Sequence, residues 1–104
     1  MEKRVVITGI GAITPIGNNT KELWESILQK KCGINKITSF NADGYKTSLA
    51  AEIKNYNPLD YFDAKQAKRL DKCSQYAIIA AKEAFNDSKI TKENTDFERI
   101  GVFV

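Results

Sequence analysis

The chain has 104 residues, of which 42% are apolar and 28% charged, an ordinary globular composition that argues against disorder. That length holds one domain at most. Sixteen Lys and Arg against thirteen Asp and Glu leave a net charge of +3, too small to demand nucleic acid or a membrane surface as partner. No apolar run reaches the ~18 residues of a membrane-spanning helix. No histidine is present, which removes Ser-His and Cys-His nucleophile pairs and His-ligated zinc.

In chain order, Val5-Val6-Ile7 is a short β-branched run that predicts a buried strand. Gly9-Ile-Gly11-Ala-Ile-Thr14-Pro15-Ile-Gly17 follows as a glycine-rich loop, where Pro15 holds Thr14 extended and keeps a helix from starting. Asn19, with Glu22 three residues on, predicts a helix cap. Leu23, Trp24, Ile27 and Leu28 then share a face, and Lys30, Lys31 and Gly33 close the helix. Residues 34–47 carry no clear period, and Ser48 to Ile53 reads as a short strand.

Asn57-Pro58 marks a turn, and Asp63 caps a helix that begins at Ala64. From Lys72 to Ala84 or Phe85 the chain reads as a second, longer helix or as a continuation after a kink near Asp71, apolar nearly all round at residues 76–81 and so expected to be buried on most sides. Its alanines at 77, 80, 81 and 84 admit close neighbours. A polar loop is expected over 86–98, then a second apolar strand over 100–104. Alternating β and α segments favour an α/β fold with parallel strands. A chain stopping inside its most apolar strand suggests truncation at Val104, so residues 1–104 are read as one incomplete domain.

Three features compete as sites. The Gly9-x-Gly11 turn lacks the third glycine and following helix of a dinucleotide fingerprint, so it reads as a tight turn beneath packed neighbours. Cys32 and Cys73 form no Cys-x-x-Cys motif; with no histidine partner, a packing role suits Cys73 better than a reactive one. Asp60 and Asp63 sit too close together, in a loop and a cap, for paired acid and base, and so are no site of their own. The third feature is a set of cations: Lys65, Lys68, Arg69 and Lys72 fall at i, i+3, i+4 and i+7, one face of a continuous helix. Like charges at that spacing oppose the helix by a few tenths of a kcal/mol per pair. An acidic helix or a phosphate group is their natural complement, and a stand-alone module for such a partner is one possible reading. Lys3-Arg4 before the first apolar run mimics a secretion signal, but Gly9 and Gly11 interrupt it, so a cytoplasmic protein is expected.

The run Arg4-Val-Val-Ile-Thr-Gly-Ile-Gly-Ala-Ile-Thr-Pro-Ile-Gly17 resembles the opening of the β-ketoacyl-acyl carrier protein synthases. The likeness continues through Leu23-Trp24, Gly33-Ile34, Phe40, Tyr45, Ala51-Glu52-Ile53, Lys68-Arg69-Leu70-Asp71 and Gln75-Tyr76 to Arg99-Ile100-Gly101, and is nearer the type II than the type I synthases. The resemblance implies a thiolase-like α/β/α/β/α fold, in a longer homodimeric chain that joins acyl and malonyl groups carried by acyl carrier protein, with no cofactor and no metal. The family's nucleophilic cysteine and two histidines belong to motifs past Val104, so no catalytic residue is assigned and the chain alone is expected to be inactive. By the same resemblance, Lys65, Lys68 and Arg69 match basic residues that meet the acidic helix of acyl carrier protein. Lys68 stands where the family often has Arg, which keeps charge but gives up two-pronged geometry.

Overall fold

Each of the three helices in the computed structural model, which describes residues 2–104, begins at an Asn or Asp whose side chain captures a free amide of the first turn. In α1 (Thr20–Leu28) Asn19 Oδ1 accepts from the Glu22 amide at 2.9 Å. Glu22 returns its carboxylate one residue further back than expected, accepting from the Asn18 amide at 2.8 Å. In α2 (Ala64–Arg69) Asp63 accepts from Gln66, and in α3 (Lys72–Ser88) Asp71 accepts from Ser74. Leu70 is extended (φ −88°, ψ 133°) and separates α2 from α3. Single 3-10 turns occupy Pro58–Asp60 and Phe97–Arg99.

The strand β1 (Ile34–Lys36) comes from the stretch that showed no period, and pairs antiparallel with β2 (Leu49–Ala51), Ile34 opposite Ala51. Just past β2, Glu52 accepts from the amides of Thr38 and Ser39 and from the Thr38 hydroxyl. Hydrogen bonding from the Ser39 side chain, then from these groups, lowers its carboxyl to about 2. A carboxylate at the open end of the hairpin therefore fixes the connection that the alternation pattern left unspecified.

Mixed α/β character is observed, but several expectations change. Residues 5–7 and 100–104 form no ladder among the described residues, and Val5 and Val102 are 95% and 85% exposed. A strand is completed by a neighbour's amides and carbonyls, and neither segment has one here; the only pairing described between named strands is antiparallel, not parallel. α1 ends at Leu28 with Lys30, not Gly33, in the left-handed region (φ 54°). Gly33 instead lets Pro15 and Ile16 press close, since an added Cβ would lie 2.9 Å from each side chain. α3 runs past Phe85 to Ser88 and buries Gln75 and Ile79, while Ala77 and Ala81 stay exposed. Trp24, Ile27 and Leu28 are also exposed, because α1 turns Ser26 inward, its hydroxyl donating to the Ile16 carbonyl.

The glycine loop lies on α3. A Cβ on Gly9 or Gly11 would overlap the backbone of Ala84 or Ala80, its nearest further atoms being Ser88 N at 2.6 Å and Ala84 N at 2.8 Å. The small residues of the loop and of the helix thus match, as the alanine spacing suggests. Accessible surface totals 9133 Å², against about 5,900 Å² for a compact monomer of this mass. The radius of gyration, 17.5 Å, likewise exceeds the ~13 Å of a compact domain. Phe62 and Ile79 are the buried apolar residues among those described.

Candidate functional site

Around the six-residue turn of α2, Lys65, Lys68 and Arg69 fall within an arc of about 100°. Ala67 and Leu70, both half-buried, lie opposite. The helix therefore has a packed side and a cationic side, and all three cations are exposed. Lys72 does not join them. The break at Leu70 interrupts the seven-residue spacing, and Lys72 instead opens α3 and lines a depression of about 500 Å³ with Glu52 and Tyr76. Spacing alone assigned four cations to one face; the structure brings three together.

A helix this short is marginal alone, and its placement comes from Gln75, which enters the sequence reading only as part of the family likeness. Gln75 is 3% exposed. Its amide nitrogen donates to the carbonyls of Ala67 and Leu70, both at 3.0 Å, while its amide oxygen accepts from the Tyr56 hydroxyl. Tyr56 packs edge-on against Tyr76 and stacks with Tyr61. Burial first, then the neighbouring phenols, pushes the Tyr56 hydroxyl above its ordinary range, so it remains a donor. A signal for Gln75 does exist in the sequence: it stands four residues before Ile79, on the buried line of α3.

That line continues through Glu83 and Asp87. Glu83 accepts from the Ala12 amide at 2.8 Å and from the amide and hydroxyl of Thr20 at 2.9 and 2.8 Å. Asp87 accepts from the Ile10 amide at 3.0 Å. Burial raises the Glu83 carboxyl, but these hydrogen bonds outweigh it and leave the group below its usual range. The glycine loop consequently offers no phosphate cradle. Two of its amides are already held by carboxylates, and an anion would meet charge of its own sign.

Cys32 and Cys73 are both free and exposed, so the packing role expected for Cys73 is not observed; it lies on the side of α3 shared with exposed Ala77 and Ala81. Asp63 is a helix cap and Asp60 belongs to a 3-10 turn, which leaves neither as an acid-base pair. Among the described residues no cluster of three His, Cys, Asp or Glu is arranged to hold a metal. Among the described residues no helix is long and apolar enough to cross a membrane.

The chain is similar to known proteins. The family model for the beta-ketoacyl synthase N-terminal domain matches residues 2–104. The 3-oxoacyl-acyl-carrier-protein synthase 2 of Staphylococcus aureus strain N315 is 47% identical over 102 residues, which cover 98% of this chain and 25% of that protein. The enzyme of the same name from Synechocystis is 37% identical over 103 residues, 99% of this chain and 25% of that protein. The ishigamide ketosynthase/chain length factor superimposes with a TM-score of 0.71 at 26% identity, over 86% of this chain and 22% of that one. The chain thus spans about a quarter of the length of the curated relatives it matches. Matched along its length by the family model, with the glycine loop seated on α3 and a thiolase-like α/β arrangement shared with a ketosynthase, it belongs to the beta-ketoacyl synthase family, as part of the N-terminal domain.

Proposed function

We propose that this chain is the N-terminal portion of a type II β-ketoacyl-acyl carrier protein synthase of fatty acid synthesis. The complete enzyme lengthens an acyl chain by decarboxylative condensation with malonyl-acyl carrier protein. This portion contributes the docking face for the carrier, through Lys65, Lys68 and Arg69, and no catalytic group. The observation that carries the reading is α2: three exposed cations on one side of a helix whose other side is held in place. Relatives at 47% and 37% identity bear a name that includes the acyl carrier protein.

Cationic side chains on a fixed helix suit an acidic helix on a partner, since complementary charge orients encounter and raises association rate. The inactivity proposed for this portion rests on the resemblance, which puts the nucleophilic cysteine and both histidines in other motifs, and a sequence without histidine agrees with it. The exposed apolar surface favours a part of a larger assembly over a self-contained binding module. The complete enzyme works as a cytoplasmic homodimer with neither metal nor cofactor.

Steady-state assay of the complete enzyme tests the docking role. Replacing Lys65, Lys68 and Arg69 together by Glu is expected to raise KM for carrier-borne substrates about 10-fold or more, while leaving the KM for the same acyl group on pantetheine unchanged. Equal KM values for the wild-type and triple-variant enzymes on carrier substrates would remove the docking face from α2. Condensation catalysed by residues 1–104 alone would overturn the assignment of inactivity.

A further inference from the structure

We propose that Gln75 is a positioning residue for carrier recognition: it sets the angle at which α2 presents its cationic side, without touching the carrier. This inference rests on the docking role proposed for α2. Its basis is the hydrogen-bond inventory at the α2–α3 junction. The Leu70 amide still satisfies the Gln66 carbonyl, but the helix then breaks, so no following amide of α2 reaches Ala67. A helix leaves its last carbonyls without partners, and side chains commonly supply them. Here the Gln75 amide supplies two, at Ala67 and Leu70, from the first turn of the next helix.

The bridge has a defined direction. The Gln75 oxygen is fixed by the Tyr56 hydroxyl, so the amide cannot flip without losing that donor and turning its oxygen toward two carbonyl oxygens. Gln75 is 3% exposed, so water does not replace a lost partner readily. α2 has one other anchor of this kind, the Asp63 cap at its opposite end. With both ends tied, the six residues between them hold the three cations at a fixed height and rotation. Preorganised charge loses less on binding than charge on a mobile segment.

The complete enzyme carrying Gln75→Met, which keeps length and removes both donors, tests the proposal. The expected result is a rise of about 5- to 10-fold in KM for carrier-borne substrate, with kcat and the KM for acyl-pantetheine retained. In the background of the triple Glu variant the same change should have little further effect, because misplacing a face that no longer binds costs nothing more. Gln75→Asn, whose amide is one methylene too short to reach both carbonyls, should not restore the wild-type KM. If Gln75→Met does not fold, Tyr56→Phe frees the amide to rotate and should produce the same selectivity at about 2- to 3-fold.

Parallel losses on carrier and pantetheine substrates would show a general structural role and overturn the proposal. An unchanged carrier KM would do so too. If the triple Glu variant binds carrier normally, the docking role itself fails; if only the Gln75 variant does, the positioning role fails while docking stands.

Discussion

The α2–α3 junction and the two apolar segments at residues 5–7 and 100–104 are built on opposite principles. At the junction, polar groups are answered locally: Asp63 and Asp71 cap their helices, and the Gln75 amide donates to the carbonyls of Ala67 and Leu70 at the break. At the apolar segments, side chains such as Val5 and Phe103 are almost wholly exposed, at 95% and 96%, and the backbone joins no ladder among the described residues. Hydrogen-bonded capping needs only neighbours in sequence, whereas apolar strands need a second layer. The comparison separates a framework that the chain completes by itself from apolar surfaces that no described residue covers.

The largest test of that framework is steric. Gly11→Ala places a methyl group onto the Ala80 backbone, and is expected to destabilise the complete enzyme by about 3 kcal/mol or more, read as a lowered denaturation midpoint. Val5→Thr, on a surface exposed here, separates two cases. It should cost about 1–2 kcal/mol where another layer covers the strand, and almost nothing if that surface stays in water.

Glu83→Gln comes next. It removes the negative charge that holds the Ala12 and Thr20 amides, and about 2 kcal/mol of stability is expected to go with it. The same group makes a pH prediction. Because its folded pKa lies below the ordinary value, its contribution is present above the unfolded pKa of about 4.3 and is lost as pH falls through the folded one. The Glu83→Gln enzyme should therefore show a shallower loss of stability on acidification below about pH 4 than the wild type; identical slopes would exclude Glu83 as a source. The smallest effect is at the cap. Asp63→Ala should cost about 1 kcal/mol and raise the carrier KM more than the pantetheine KM, by fraying the first turn of α2.

Much of this framework is legible in the sequence, and for physical reasons. Caps are short-range signals, so Asn19 and Asp63 can be read from neighbouring residues alone. The fit of the glycine loop to alanine-rich α3 is also written in residue size. What the sequence hides depends on distance. The β1–β2 hairpin is closed by Glu52, thirteen and fourteen residues from its partners. Glu83 and Asp87 reach amides 63 to 77 residues away. No periodicity announces such ties, although the four-residue line from Gln75 through Ile79 to Glu83 marks polar residues on a buried side. Of the cations, Lys65, Lys68 and Arg69 are legible as a face because they share one helix. Lys72 is misread because spacing does not report a backbone break. Assigning the three a carrier comes from family resemblance, not from charge pattern.

A charge exchange between enzyme and carrier tests the docking claim most directly. Affinity would be measured at low salt, where exposed charges act over more than about 10 Å, between the complete enzyme bearing Glu at 65, 68 and 69 and a carrier whose acidic recognition helix has been made basic. The account predicts weak binding when either side alone is reversed and recovery when both are. Binding that survives the single reversals, or fails to return in the double one, would contradict it.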